Sequence, residues 1–234
     1  DENLQKIIQK SRNYDIDYML YTSANKKFKF NFSQGQKPRN EVDLYFSLMS
    51  FVQFLTNKAQ ESAVTIPKDF SFGFEPYVKK DLIPEKEHIQ PLYKQSKIIA
   101  QLMMLLYESN DYGIDFKNIM RESVDASILG GKNKDNVGTL DGNRSIFLRR
   151  KDLRSYIFSL DFSTYTSVLR NFINKLQDYN LPVIIRSLEI RHSKSGSSGS
   201  GITVTEKMQI ALVLEWIFVE NGKNLLKSES IRKE

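Results

Sequence analysis

The chain has 234 residues, 40% of them apolar and 26% charged, with 34 Lys and Arg against 28 Asp and Glu for a net charge of +6. That balance fits one large or two small folded domains, and 15 Phe with 11 Tyr argue against a disordered chain. Zero cysteines remove disulfides, thiolate nucleophiles and cysteine-bound metals, and two histidines, His88 and His192, leave histidine chemistry poorly supplied.

The text starts at Asp1 rather than Met, so further sequence, with any address or anchor, is expected upstream. The longest apolar run, Ile98 to Tyr107, is short of the roughly 18 residues a membrane span needs. Residues 1–39 read as the stub of a longer amphipathic helix (Leu4, Ile7, Ile8) followed by a basic connector with Lys26, Lys27 and Arg39. Asn40 then caps a helix expected over 41–63, with Glu41 and Asp43 in its first turn and a stripe of Leu44, Leu48, Phe51, Leu55 and Ala59.

Phe70, Phe72 and Phe74 alternate with Ser71 and Gly73, the pattern of a half-buried strand. A second helix is expected from about 90 to 109 and a short strand from Ile114 to Arg121, which completes a first α/β half over 40–121. Residues 122–152 are glycine-rich and read as a connector, with a basic cluster from Arg144 to Arg154 at its far end. The second half, 153–220, runs strand, helix, strand, strand. Tyr156, Phe158, Leu160 and Phe162 alternate in the first strand, Ser163 or Thr164 caps the helix, and the strand after Pro182 alternates at Ile184, Leu188 and Ile190. SKSGSSGSG at 193–201 is a flexible loop by composition, and 221–234 is a polar tail. The fold class is therefore α/β (α+β): two ferredoxin-like halves with helices packed on an antiparallel-rich sheet.

On the last strand, Met208 to Phe218 should face the core at even positions. Ala211, Val213, Ile217 and Val219 on the other side are unusually apolar and mark an expected contact surface. The segment FSFGFEPY, 70–77, matches part of an RNA-recognition strand through Phe72, Gly73, Phe74 and Tyr77, so a single-stranded nucleic-acid-binding module is the alternative function; core packing is the simpler role for those rings. GGKNKDN and LDGNRS reproduce neither a phosphate loop nor a calcium loop, and no GxSxG or SxxK occurs. Asn31 and Asn143 head glycosylation sequons of the length chance supplies. His88 reads as a solvated side chain and His192 as a loop residue. No catalytic, cofactor-binding or metal-binding residue is assigned, and no cofactor is expected.

The run LRSYIFSLDFSTYTSVLRNFINKLQDYNLPVIIRSLEIRH, 153–192, with the long strand that follows, resembles the periplasmic domain of PilO-type pilus assembly proteins. It is closer still to the PilO-like, pilus-associated outer-membrane proteins of verrucomicrobial bacteria. The matching residues are Val168, Leu169, Phe172 and Ile173 in the helix and Arg186 to Arg191 in the strand. The resemblance implies a non-enzymatic scaffold or interaction protein of a type IV pilus or related secretion assembly in the bacterial cell envelope, periplasmic or outer-membrane associated. It further implies other pilus or secretion proteins as partners and membrane attachment through a segment that this chain lacks, while the apolar patch at Ala211, Val213, Ile217 and Val219 admits a homodimer. Nucleic acid is not an expected partner on this reading.

Overall fold

The computed structural model describes Lys6 and residues 37–80, 82–124, 153–178, 182–192 and 207–219. Apart from Lys6, the expectation for the 1–21 helix lies outside the described residues, as do the basic clusters at 26–39 and 144–154 except for residues 37–39 and 153–154, both sequons, the 193–201 loop and the tail.

Helix α1, Glu41–Glu61, starts where the sequence places it. The Asn40 side chain accepts the Asp43 N–H at 2.7 Å, and Asp43 in turn accepts the Arg39 N–H at 3.1 Å. The first bond satisfies a donor that a first helical turn leaves open, and the second ties the chain ahead of the cap to that turn. One face, Leu44, Leu48, Phe51, Leu55 and Ala59, is buried. Strand β1, Val64–Thr65, follows, then the short helix α2, Glu75–Lys79, with Pro76 in its first turn. A 3-10 turn, Lys86–His88, leads into α3, Ile89–Glu108. This helix is buried around most of its circumference and touches both α1 and the later helix, so it is the centre of the helical layer.

Strand β2, Ile114–Arg121, precedes the glycine-rich stretch, and β3, Leu153–Thr164, follows it. Helix α4, Thr166–Asp178, strand β4, Val183–His192, and strand β5, Met208–Val219, complete the described chain. The five strands form one sheet in the order β1-β2-β3-β5-β4, parallel between β1 and β2 and antiparallel elsewhere. The class is α+β with helices on a mostly antiparallel sheet, as expected. The stretches read as two halves share this sheet, joined by the β2–β3 ladder, and share one core in which Phe51 and Leu102 cluster with Phe158, Phe172 and Trp216.

Three local expectations change. The alternating phenylalanines form no strand: Asp69, Phe72 and Gly73 have φ of 55°, 49° and 83°, and the Phe74 N–H bonds back to Ser71 O at 2.9 Å. The chain turns there, and Phe72 and Phe74 both enter the core from the turn rather than from one face of a strand. Ser163 and Thr164 stay in β3, where the Thr164 hydroxyl donates to Gly113 O at 2.9 Å; the Tyr165 carbonyl accepts the Leu169 N–H of the helix instead. In β4 the register shifts between Ile185 and Ser187, which puts Ile184 opposite Glu215 and brings Val183, Ile185, Leu188 and Ile190 onto the helix side.

Candidate functional site

Two polar arrangements are built into the sheet. On the helix side, Arg121 ends β2 only 3% exposed. Its Nε donates to Gly73 O at 2.8 Å and its Nη1 to Gln95 Oε1 at 3.0 Å, while Gln95 Nε2 donates to Glu122 O at 2.7 Å. The guanidinium carbon stands 4.8 Å from the centre of the Phe74 ring. This network joins α3, the 69–74 turn and β2, and it holds Phe72 in a backbone conformation that a bulky residue rarely adopts.

The opposite face carries Glu122, Ser155, Arg186 and Glu215. Glu215 is fully buried; it receives the Ser155 hydroxyl at 2.7 Å and Arg186 Nη1 at 3.0 Å. Arg186 is the extra residue of the β4 bulge, and the bulge is what aims it at Glu215. Glu122, just after β2, accepts the Ile157 N–H at 3.3 Å. Burial pushes the Glu122 carboxyl above its ordinary pKa, the Ile157 N–H opposes this, and the Glu215 charge adds to the rise. Asp161, further along the same face, is also raised, chiefly by burial, with Lys117 opposing and Glu189 assisting.

Chemically this is a paired charge with a hydrogen-bonded neighbour. Ser155 gives its proton to a carboxylate already neutralised by Arg186, so it is not set up as a nucleophile. A cleft of about 570 Å³ beside α1, lined by residues including Val52, Thr56, Phe70 and Val78, offers no histidine and no pair of carboxylates.

The contact surface expected at Ala211, Val213, Ile217 and Val219 falls on this second face. Ala211 is half-buried, Val213 packs with Ile157 and Met120, and Ile217 is fully buried, its N–H bonded to Pro182 O at 2.8 Å; the Val219 side chain is outside the described set. Val213 and Ile217 are thus buried within the lone chain. The apolar surface on offer is on β4, an outermost strand of the described sheet, where Ile185, Leu188 and Ile190 are 38%, 38% and 46% exposed. Sequence reasoning placed the alternation of this strand at Ile184, Leu188 and Ile190; it had no means of seeing that β4 would lie at an edge of the described sheet.

The nucleic-acid alternative loses its platform. Phe72, Phe74 and Tyr77 are fully buried, with Phe51 edge-on to Phe72 and Phe74 at 6.0 and 5.5 Å, so no row of rings faces solvent for bases to stack on. His88, read as solvated, is 8% exposed. Glu215 went unremarked in the sequence and Arg186 was noted only as part of the resemblance, although a lone Glu in MQIALVLEWIFV and a lone Arg in VIIRS were the available signals for their pairing.

A mostly antiparallel five-stranded sheet with helices packed on it defines an α+β domain in its architecture. A family described as pilus-like matches residues 11–197, and the chain belongs to that family. A solved structure of a protein from Akkermansia muciniphila, determined without its transmembrane region, is similar at a TM-score of 0.58 and 14% identity over 80% of this chain and 89% of that one. Another from the same organism gives 0.56 and 12% over 94% and 93%. The type 4 fimbrial biogenesis protein PilO from Pseudomonas aeruginosa covers 88% of this chain and 100% of its own at 9% identity, with a TM-score of 0.34 that is too low to bear on the fold. No curated protein matches. Among the described residues, no helix is long and apolar enough to cross a membrane.

Proposed function

We propose that the chain is a non-enzymatic scaffold of a type IV pilus or related secretion assembly, acting in the bacterial cell envelope through protein–protein contacts. On this reading it is periplasmic or outer-membrane associated, with attachment through a segment that this chain does not include. The observation that carries this reading is β4 in a member of a pilus-like family: an outer strand with Ile185, Leu188 and Ile190 exposed is suited to strand addition by a partner. Another pilus assembly protein or a second copy of this chain would fit. In an antiparallel pair of two copies centred on Ile190, Glu189 meets Arg191 in both directions, an opposite-charge pair repeated by the symmetry.

The test is complementation. Deleting the gene in the source bacterium should remove surface pili counted by negative-stain electron microscopy, and the wild-type gene should restore them. The Leu188→Asp/Ile190→Asp variant, folded by circular dichroism, should not. Normal piliation in the deletion strain would sink the pilus role, whereas full rescue by the double variant would sink only the β4 contact.

A further inference from the structure

His88 closes the 3-10 turn and stands at the start of α3. Its side chain is 10% exposed, and Nδ1 is shut off from solvent without a hydrogen-bond partner. A buried ring nitrogen left in that condition calls for an explanation. Two carboxylates flank the ring: Glu85 Oε2 lies 3.7 Å from Nδ1 and Glu87 Oε1 lies 3.6 Å from Nε2. Both separations exceed the N–H···O range of about 2.7–3.2 Å, so neither is a hydrogen bond to the ring.

We propose that Glu85, Glu87 and His88 form a site for one first-row divalent cation, with zinc the ion its donors suit. One ligand atom from each residue can be chosen so that all lie within 4.8 Å of one another. Zinc bonds to imidazole nitrogen and carboxylate oxygen are about 2.0–2.2 Å, which sets neighbouring ligand atoms of a tetrahedron roughly 3.4 Å apart. One ion bonds one ring nitrogen, here the unpartnered Nδ1, and its 3.7 Å separation from Glu85 Oε2 is near a ligand-to-ligand spacing and too long for proton sharing; Glu87 lies against Nε2 at 3.6 Å and reaches the same ion by rotation of its exposed side chain. One imidazole nitrogen with two carboxylate oxygens favours zinc and its neighbours over magnesium or calcium, which prefer all-oxygen sets.

The local fold makes such a site economical. All donors fall within Glu85 to His88, a turn closed by the His88 N–H to Glu85 O bond at 2.9 Å. The imidazole is fixed by burial, whereas the Glu85 and Glu87 side chains are 56% and 73% exposed and can swing to close around an ion, with water in the remaining position. A bound cation would pin the turn from which the central helix departs.

Isothermal titration of the tag-free chain with ZnCl2 should show one saturable site, with MgCl2 and CaCl2 binding at least about tenfold more weakly. Glu85→Gln/Glu87→Gln, which changes two exposed groups only, should weaken zinc by about tenfold or more, and His88→Asn should do the same. Circular dichroism checks that each variant is folded, and the glutamate variant keeps the test decisive if His88→Asn is not. No saturable zinc binding, calcium binding of equal strength, or binding that survives Glu85→Gln/Glu87→Gln but disappears with His192→Ala would overturn the assignment.

Discussion

The two faces of the sheet are buried by different means, although they belong to the same strands one residue out of phase. On the helix side, Phe158, Leu160 and Phe162 of β3 and Ile210, Leu212, Leu214 and Trp216 of β5 are at most 1% exposed and almost wholly hydrocarbon. On the other side the same strands bury Ile157, Ser159, Val213, Glu215 and Ile217, a mixture that volume filling alone does not stabilise. A hydrocarbon face needs only close packing. A face that includes a fully buried carboxylate needs a specific cation and a specific donor, here Arg186 and Ser155. Stability should therefore depend on bulk on one face and on pairing on the other.

The largest expected effect is on the first. Trp216→Ala removes a ring that is 1% exposed at the centre of the shared core, and urea unfolding should show a loss of about 3–5 kcal/mol. A loss under about 1 kcal/mol would mean that the helical layer does not depend on this face. Next comes the second face. Arg186→Met keeps the length of the side chain but leaves Glu215 buried beside Ser155 without its cation, which should cost about 3 kcal/mol. The double variant Arg186→Met/Glu215→Leu should recover most of that loss, since removing both charges removes the desolvation problem too. If the double variant is as unstable as the single one, the pairing account of this face is wrong.

What could be seen in the sequence follows from the same difference. Elements whose hydrophobic period is regular, such as α1, α3, β3 and β5, are placed within a few residues by the period alone. The three features that escaped depend on contacts distant in sequence. The 69–74 turn imitates a strand because its phenylalanines alternate, yet it is bent by Phe51 from α1 and by Arg121 from β2, neither of which sequence spacing can bring near. The bulge at Arg186 depends on Glu215, 29 residues away. The edge position of β4, and with it the candidate contact surface, is a property of strand order. His88 likewise reads as a surface residue until Glu85 and Glu87 are seen to fold around it. Gly73 offers a smaller test of the first of these. At φ +83° a Cβ is strained even though its nearest neighbours, Arg121 Cγ and Ile119 O, are 3.6 Å away; Gly73→Ala should cost about 1 kcal/mol. No change in the urea midpoint would show that the turn relaxes without it.

The smallest effect is the one that distinguishes burial from pairing most directly. Glu122 shares the second face with Glu215 and accepts the Ile157 N–H; its carboxyl is raised by burial first and by the Glu215 charge last, with the Ile157 N–H opposing. A carboxyl with a raised pKa in the folded state holds its proton more firmly there than in the unfolded chain. Its contribution is whole below the unfolded pKa and is lost as pH rises through the folded value. Glu122→Gln keeps an oxygen for the Ile157 N–H and has no proton to lose. The variant should match the wild type near pH 4 and exceed it near pH 7 by less than about 1 kcal/mol, because the group is partly open to solvent. Asp161→Asn, on the same face and raised for the same leading reason, should move in the same direction. A gap between Glu122→Gln and the wild type that does not change with pH would show that the carboxyl is ordinary. A variant less stable at pH 7 would show that the hydrogen bond to Ile157 outweighs burial, and the second face would then rest on pairing at Glu122 as it does at Glu215.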